Sequence, residues 1–427
     1  MSNSLEQLVP ALRNQFPALA RCEGNLSAVF LDGPAGTQVP QSVIDAMSHY
    51  LSHCSANHGG LFPTGRESDA LLDAVHRGLA DFVGAADPDE IAFGQNMTSL
   101  TFAFSRALAR TWKAGDEIVV TLLDHDANVT PWVLAARDAG IKVQYVRFRP
   151  EDCTLDLADF RSKINSRTRL VAVGCASNAT GGINPVRQIA GWAHAVGSLV
   201  FADAVHFAPH GLVDVNALGV DFLACSAYKF FGPHIGVLWG KRKHMESLEA
   251  YKVRPANNAL PSKWMTGTQS HESMAGALAA VDYLAWIGRN LAGDQSLSRR
   301  AALAKAYEAI VPYERLLVAK LLKGLAEIPK IKVFGITDPA RLSERVATVS
   351  FTHSKFTSAQ LAEHLGSRGI FAWHGNYYAL NLSEQLGNEP HGMLRVGLVH
   401  YNTAEEVERL LQELHQLERK LRNSHGE

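Results

Sequence analysis

A lysine amine is a useful nucleophile only when it is neutral and held still, and the stretch SAYKFFGPH, Ser226 to His234, offers one lysine in such a setting. Lys229 follows the apolar run DFLACSAY, which reads as a buried strand, and precedes Gly232 and Pro233, which stop that strand and turn the backbone. Upstream, LVFADAVH is another apolar strand ending in an acid, Asp203. A parallel sheet brings such strand ends together at one edge, so that aspartate and lysine converge on one cleft. A lysine able to form a Schiff base, and a carboxylate that keeps a ring nitrogen protonated, are what pyridoxal 5'-phosphate requires.

The other parts of such a site can be sought at further strand ends. A phosphate needs several donors, and a helix start supplies backbone N–H groups and a favourable dipole. FGQNMTSLTFAFSRAL places Asn96, Met97 and Thr98 where the strand IAF gives way to a helix, although plain capping by Asn96 accounts for them about equally well. Ser226 and Tyr228 add hydroxyl donors beside Lys229; taken alone, each reads as a satisfied core residue. His125, in LLDHDANVTPW, follows another strand and precedes a helix starting near Pro131, where a flat imidazole can stack on a pyridine ring or bond within its own loop. Asn178, in CASNATGGINP, suits the ring hydroxyl, the substrate carboxylate or an Asx turn. His206, three residues past Asp203, partners the ring hydroxyl or is structural. Arg395 sits between apolar residues in GMLRVGLVHYNT, and a planar guanidinium holds an α-carboxylate with two parallel hydrogen bonds. In LDGPAGTQVP, Gly33 and Gly36 flank Ala35 and let backbone approach a substrate, or simply make a turn.

Positioning these groups requires a scaffold. From about residue 90 to 240, short β-branched runs alternate with helical patterns, which argues for a mostly parallel sheet covered by helices. After roughly residue 285, long helical stretches are followed by the strands RVATVSF and MLRVGLVHY, a smaller α+β unit. The expected domains are 30–285, binding the cofactor, and 286–427 together with 1–29. The final helix opens at a capping box, Thr403 with Glu406. Across 427 residues, 41 basic and 42 acidic side chains nearly cancel, so nothing attracts nucleic acid or an anionic membrane. No metal site is expected. Five cysteines with no CxxC spacing read as free thiols in a reducing compartment. The N-terminus lacks the pattern of a signal peptide, no run approaches a membrane span, and the expected location is cytoplasmic.

FLDGPAGT, DHDANVTPW, SNATGGINP, VFADAVHFAPHGLVDV, SAYKFFGPHIGVLWG and LRVGLVHYNTAEEV occur in order over nearly the whole length. In these the chain resembles a fold-type-I pyridoxal phosphate enzyme of the class V aminotransferase group, and within it the cysteine and selenocysteine desulfurases. The resemblance implies an α/β fold with a mostly parallel seven-stranded sheet and a smaller C-terminal α+β domain. It implies Lys229 as the cofactor lysine, Asp203 at the ring nitrogen, His125 stacked on the ring, and Thr98 and Ser226 on the phosphate, with Val205 among the cofactor contacts. His206 stands where desulfurases usually have glutamine, and Tyr228 where they usually have histidine. Thr268, in WMTGTQS, matches a threonine lent to the neighbouring subunit's phosphate, which implies a homodimer with shared sites. Tyr378, in GIFAWHGNYYALNL, replaces the sulfur-accepting cysteine, and no cysteine follows Cys225. A phenol cannot hold a persulfide as a thiolate does. The expected reaction is therefore C–S cleavage of a cysteine-type amino acid by α-deprotonation and β-elimination; desulfuration, epimerisation, transamination, decarboxylation and an inactive scaffold are the alternatives.

Overall fold

The computed structural model describes residues 4–24 and 26–425. Seven strands form the central sheet: β1 (Ile91–Gly94), β2 (Glu117–Thr121), β3 (Lys142–Val146), β4 (Thr168–Gly174), β5 (Leu199–Asp203), β6 (Phe222–Ser226) and β7 (Gly236–Gly240). Their order is β1-β7-β6-β5-β4-β2-β3, and all pairings are parallel except the two made by β7. The apolar runs are continuous because both faces are covered, and the period of two decides which residue meets which layer. In β5, Val200 and Ala202 join one core while Phe201 joins the other; in β6, Leu223 and Cys225 face one way and Phe222 and Ala224 the opposite way. Only β3, at the edge, keeps mostly half-buried and exposed positions.

Helices α1 (Leu5–Arg13), α2 (Pro63–Val83), α3 (Met97–Ala109), α4 (Thr130–Ala139), α5 (His271–Ala292), α6 (Arg299–Ala326) and α7 (Ala404–His425) supply most of the covering. α3 and α4 line one face of the sheet, whereas α2, α5 and the first half of α6 line the other. Past Pro312, α6 leaves that core and buries Leu317, Leu321 and Leu325 in a third one. This third core lies under a four-stranded antiparallel sheet, β8 (Ile331–Phe334), β9 (Thr348–His353), β10 (Trp373–Gly375) and β11 (Met393–Gly397), in the order β8-β9-β11-β10. α7 begins at the expected capping box, with the Glu406 amide donating to Thr403 Oγ1 and the Thr403 amide donating to Glu406 Oε2.

The N-terminal segment packs with the large sheet's helices: Leu5, Leu12 and Phe16 join the first core, and Phe16 meets Tyr283 edge-on at 5.3 Å. α5 runs unbroken through position 285. The turn at 32–36 ties the small sheet to the large one. Leu31 O accepts from the Gly397 amide at 2.8 Å, and Thr37 N donates to Tyr228 O at 3.0 Å. Among the described residues, no helix is long and apolar enough to cross a membrane.

Candidate active site

The parallel strands β1, β2, β4, β5 and β6 end on the same edge, and the residues that follow them wall a cavity of about 990 Å³. β1 leads to Asn96, Met97 and Thr98; β2 to Asp124 and His125; β4 to Asn178; β5 to Asp203, Val205 and His206; β6 to Ser226, Tyr228 and Lys229. Ala35, from the 32–36 turn, and Tyr378 and Arg395, from the small unit, close it. Thr268 is not among the lining residues of this chain and is exposed in its loop.

At the β1 end, Asn96 does cap α3, its Oδ1 accepting from Ser99 N at 2.9 Å, and the Met97 amide donates to Ser226 Oγ at 2.9 Å. Capping and phosphate binding are compatible, because the amides of the first turn lack intrahelical partners. The helix start is pressed against β7, where a β-carbon on Gly236 would lie 2.4 Å from the Asn96 carbonyl carbon.

Lys229 sits in a single 3-10 turn, Ala227–Lys229, and its Nζ donates to the carbonyls of Pro34 and Ala35, the latter at 3.0 Å. Burial, followed by the Arg395 charge, pushes this amine down to about 7, against the pull of Asp203. Asp203 is itself pushed up to about 6 by burial, a rise opposed by the Val205 amide at 2.8 Å and by Lys229. Asp124, buried in the same wall, is raised to about 7 by burial and then by the Asp203 charge. Asp124 Oδ2 accepts from Asn128 Nδ2 at 2.9 Å and from the Gly174 amide at 2.8 Å. The approach works because residue 174 has no side chain: a β-carbon there would lie 2.9 Å from Asp124 Oδ1. His125 is held by a backbone donor, the Ala127 amide, on Nδ1 at 3.0 Å, which leaves the ring proton on Nε2. Burial, then Lys229 and Arg395, depress this imidazole to about 4, so it is neutral. His206 Nε2 lies 3.0 Å from Thr348 Oγ1, and burial holds its ring well below the usual imidazole range.

Two buried polar atoms in this wall have no hydrogen-bond partner among the described residues, Asn178 Oδ1 and Arg395 Nε. Their neighbours fix where they sit. Asn178 Nδ2 donates to Tyr377 O at 2.8 Å, Arg395 Nη1 donates to Asn178 O at 2.8 Å, and the guanidinium lies 4.0 Å from the centre of the Tyr377 ring. Leaving such groups unmet costs free energy, and a polar ligand removes that cost. A lysine brought down to about 7, a carboxyl group beside it, a neutral imidazole, a helix start and these two orphans match the donor set that pyridoxal phosphate and an amino-acid carboxylate need.

Of the five cysteines none lines the cavity. Cys175, just past β4, and Cys225, in β6, both feel the Asp203 charge, but burial first of all pushes both thiols far up, and Cys153 is pushed up to about 11. Tyr378 reaches the cavity, with its ring 5.4 Å from that of His125, and is 73% exposed. Sequence reasoning missed Asp124, Phe102, Trp373 and Tyr377, all of which line the cavity. For Asp124 a signal was present, since it immediately precedes His125 in the same strand-end loop.

Residues 29–410 match the family described as Aminotransferase class-V. A cysteine desulfurase of Pectobacterium carotovorum is 30% identical, with 96% of this chain and 98% of the relative aligned. The aminotransferase-like protein FGM3 of Gibberella zeae is 31% identical over 94% of this chain and 96% of its own length. Among solved structures, the apo cysteine desulfurase of Thermococcus onnurineus superposes with a TM-score of 0.84 at 26% identity, covering 96% of this chain and 97% of that one. The chain belongs to the class-V aminotransferase family of fold-type-I pyridoxal phosphate enzymes, in its cysteine desulfurase-like branch.

Proposed function

We propose that this protein cleaves the C–S bond of a cysteine-type amino acid by removing the α-proton and expelling the β-sulfur. The observation that carries the reading is a single cavity that joins Lys229, Asp203, His125 and the orphaned Arg395 Nε, with no thiol among its lining residues. Pyridoxal 5'-phosphate, when bound, supplies an electron sink that weakens the bonds at the substrate's α-carbon. Asp203 would hold the ring nitrogen, His125 would lie against the ring, and the α3 start with Ser226 and Tyr228 would hold the phosphate. Arg395 would bind the α-carboxylate, its planar guanidinium held in place by the Tyr377 ring and the Asn178 carbonyl. Lys229, an amine with a pKa near neutrality, would take the α-proton. The C–S bond would break with its electron pair on sulfur, which leaves as a thiol, and water would convert the remaining unsaturated amine to pyruvate and ammonia.

A homodimer in the cytoplasm belongs to the same proposal. The dimer is supported by Thr268 lying outside its own cavity wall and by the exposed apolar residues Leu61, Phe62, Tyr251 and Val253, a set that an interface would cover. The experiment is to incubate the cofactor-loaded protein with cysteine, cystine, cysteine sulfinate and selenocysteine while following pyruvate, alanine and sulfide. Pyruvate formed with the sulfur product is the expected result. Alanine accompanied by protein-bound persulfide would overturn the proposal in favour of desulfuration.

A further inference from the structure

The foregoing chemistry leaves one part of the cavity wall unused, and it is aromatic. β10 pairs with β11 so that Trp373 stands directly opposite Arg395. Directly opposed residues of an antiparallel pair share a face, with β-carbons about 5 Å apart. Trp373 is 54% and Tyr378 73% exposed, and both line the cavity together with Phe102, Pro131 and Tyr377.

An exposed ring on a loop is usually free to swing, but the backbone carrying Tyr378 is fastened on both sides. Its amide donates to Asn376 Oδ1 at 3.1 Å, and its carbonyl accepts from Asp126 N at 2.7 Å. Asn376 is in turn held by Glu389 Oε1 at 3.1 Å. Tyr377 and Tyr378 both take left-handed backbone angles, φ 56° and 59°, which L side chains avoid unless the surroundings enforce them. A constrained backbone thus sets one ring under Arg395 and the next against His125, 5.4 Å away.

We propose that Trp373 and Tyr378 form a subsite for an aromatic or bulky apolar group on the substrate's sulfur, so that cysteine S-conjugates with aryl-type substituents are preferred over free cysteine. The inference rests on the reading of Arg395 as the carboxylate clamp. With the carboxylate at Arg395, a substrate side chain directed along the face that Arg395 shares with Trp373 would meet that ring, and Tyr378, beside His125, lines the same cavity. Free cysteine ends at its sulfur and offers neither ring a surface to stack on. The same geometry accounts for the wall without a thiol: the sulfur departs with its substituent as R–SH, taking the bonding electron pair and one proton, and no protein sulfur is needed to receive it.

The test compares S-phenylcysteine, S-methylcysteine and homophenylalanine, in which a methylene replaces the sulfur of S-phenylcysteine, on the cofactor-loaded enzyme. Binding is read by calorimetry, and turnover is read as thiol and pyruvate. The two aryl compounds should bind at least tenfold more tightly than S-methylcysteine. Trp373→Leu and Tyr378→Ala, both at exposed positions, should each erase most of that difference and leave S-methylcysteine binding within about twofold. Equal binding of aryl and methyl compounds, or variants that weaken both alike, overturns the subsite. Homophenylalanine has no C–S bond, so tight binding of the aryl pair without release of thiophenol sustains the subsite while removing the elimination reading.

Discussion

Lys229 gives the sharpest quantitative test of how the fold prepares this site. The ordinary lysine value is 10.5, and burial with the Arg395 charge brings this one to about 7. At pH 7 about one half of such amines are neutral, against about one in 3,000 at the ordinary value. Only the neutral amine attacks an aldehyde, so the rate at which cofactor-free protein captures pyridoxal 5'-phosphate should climb tenfold per pH unit below about 7 and level off above it. The two neighbouring charges act in opposite directions, which fixes the sign of each substitution. Removing the repelling cation with Arg395→Gln should move the midpoint up, and removing the attracting anion with Asp203→Asn should move it down, each by about one unit if the charge lies within ordinary interaction range. The assay is stopped-flow growth of the coloured adduct between about pH 5 and pH 10, with borohydride reduction and peptide mass spectrometry to confirm attachment at residue 229. A wild-type midpoint near 10, or an upward shift in Asp203→Asn, would refute the account of a lysine desolvated between two opposed charges. Attachment at another lysine would remove its basis altogether.

Three further outcomes follow from particular contacts. Gly236→Ala puts a β-carbon 2.4 Å from the Asn96 carbonyl carbon, so the α3 start must shift; about 1–3 kcal/mol of stability should be lost, and cofactor should dialyse away more readily, as read by denaturant melts and retained absorbance. His125 is neutral above about pH 4, so its substitution should remove a stacking surface and not a titration: His125→Phe should retain cofactor within a few-fold, His125→Ala should lose up to about tenfold, and neither should create or delete a limb of the activity profile between pH 5 and 8. Glu117 is held down to about 2 by Gln144, with Asn165 and Arg167 adding to it, whereas its ordinary value is 4.5. A depressed carboxyl stabilises above its unfolded value and loses that contribution as pH falls through the folded one, so Glu117→Gln should lower the urea midpoint at pH 7 and the gap should narrow steadily below about pH 4.5.

What could be read from the chain follows the range of the interactions involved. The central strands announce themselves as continuous apolar runs because both faces are buried, and the rule that parallel strands end on one edge gathers His125, Asn178, Asp203 and Lys229 from the sequence alone. Thr403 and Glu406 were equally legible, since a capping box closes within four residues. Asp124 was passed over because its burial near Asp203, which raises its carboxyl, depends on Gly174, fifty positions away, being small enough to admit it. Trp373 was passed over because its position opposite Arg395 is a matter of antiparallel register, which no local pattern encodes. Tyr378 was noticed for what it replaces, but not for the left-handed backbone that aims it. The lysine itself combines both cases. SAYKFFGPH places an amine at the end of a buried strand, yet the same nine residues on an open surface would keep that amine charged at neutral pH. It is burial against the turn at 32–36, whose Ala35 carbonyl accepts from Nζ across 194 residues of sequence, together with the charge of Arg395 from the small sheet, that brings the amine down to about 7. The nucleophile is therefore a product of two units packed on one edge of a sheet, and substitutions that loosen that packing, such as Gly397→Ala with its β-carbon 2.1 Å from Pro34 Cγ, should reach Lys229 without touching it.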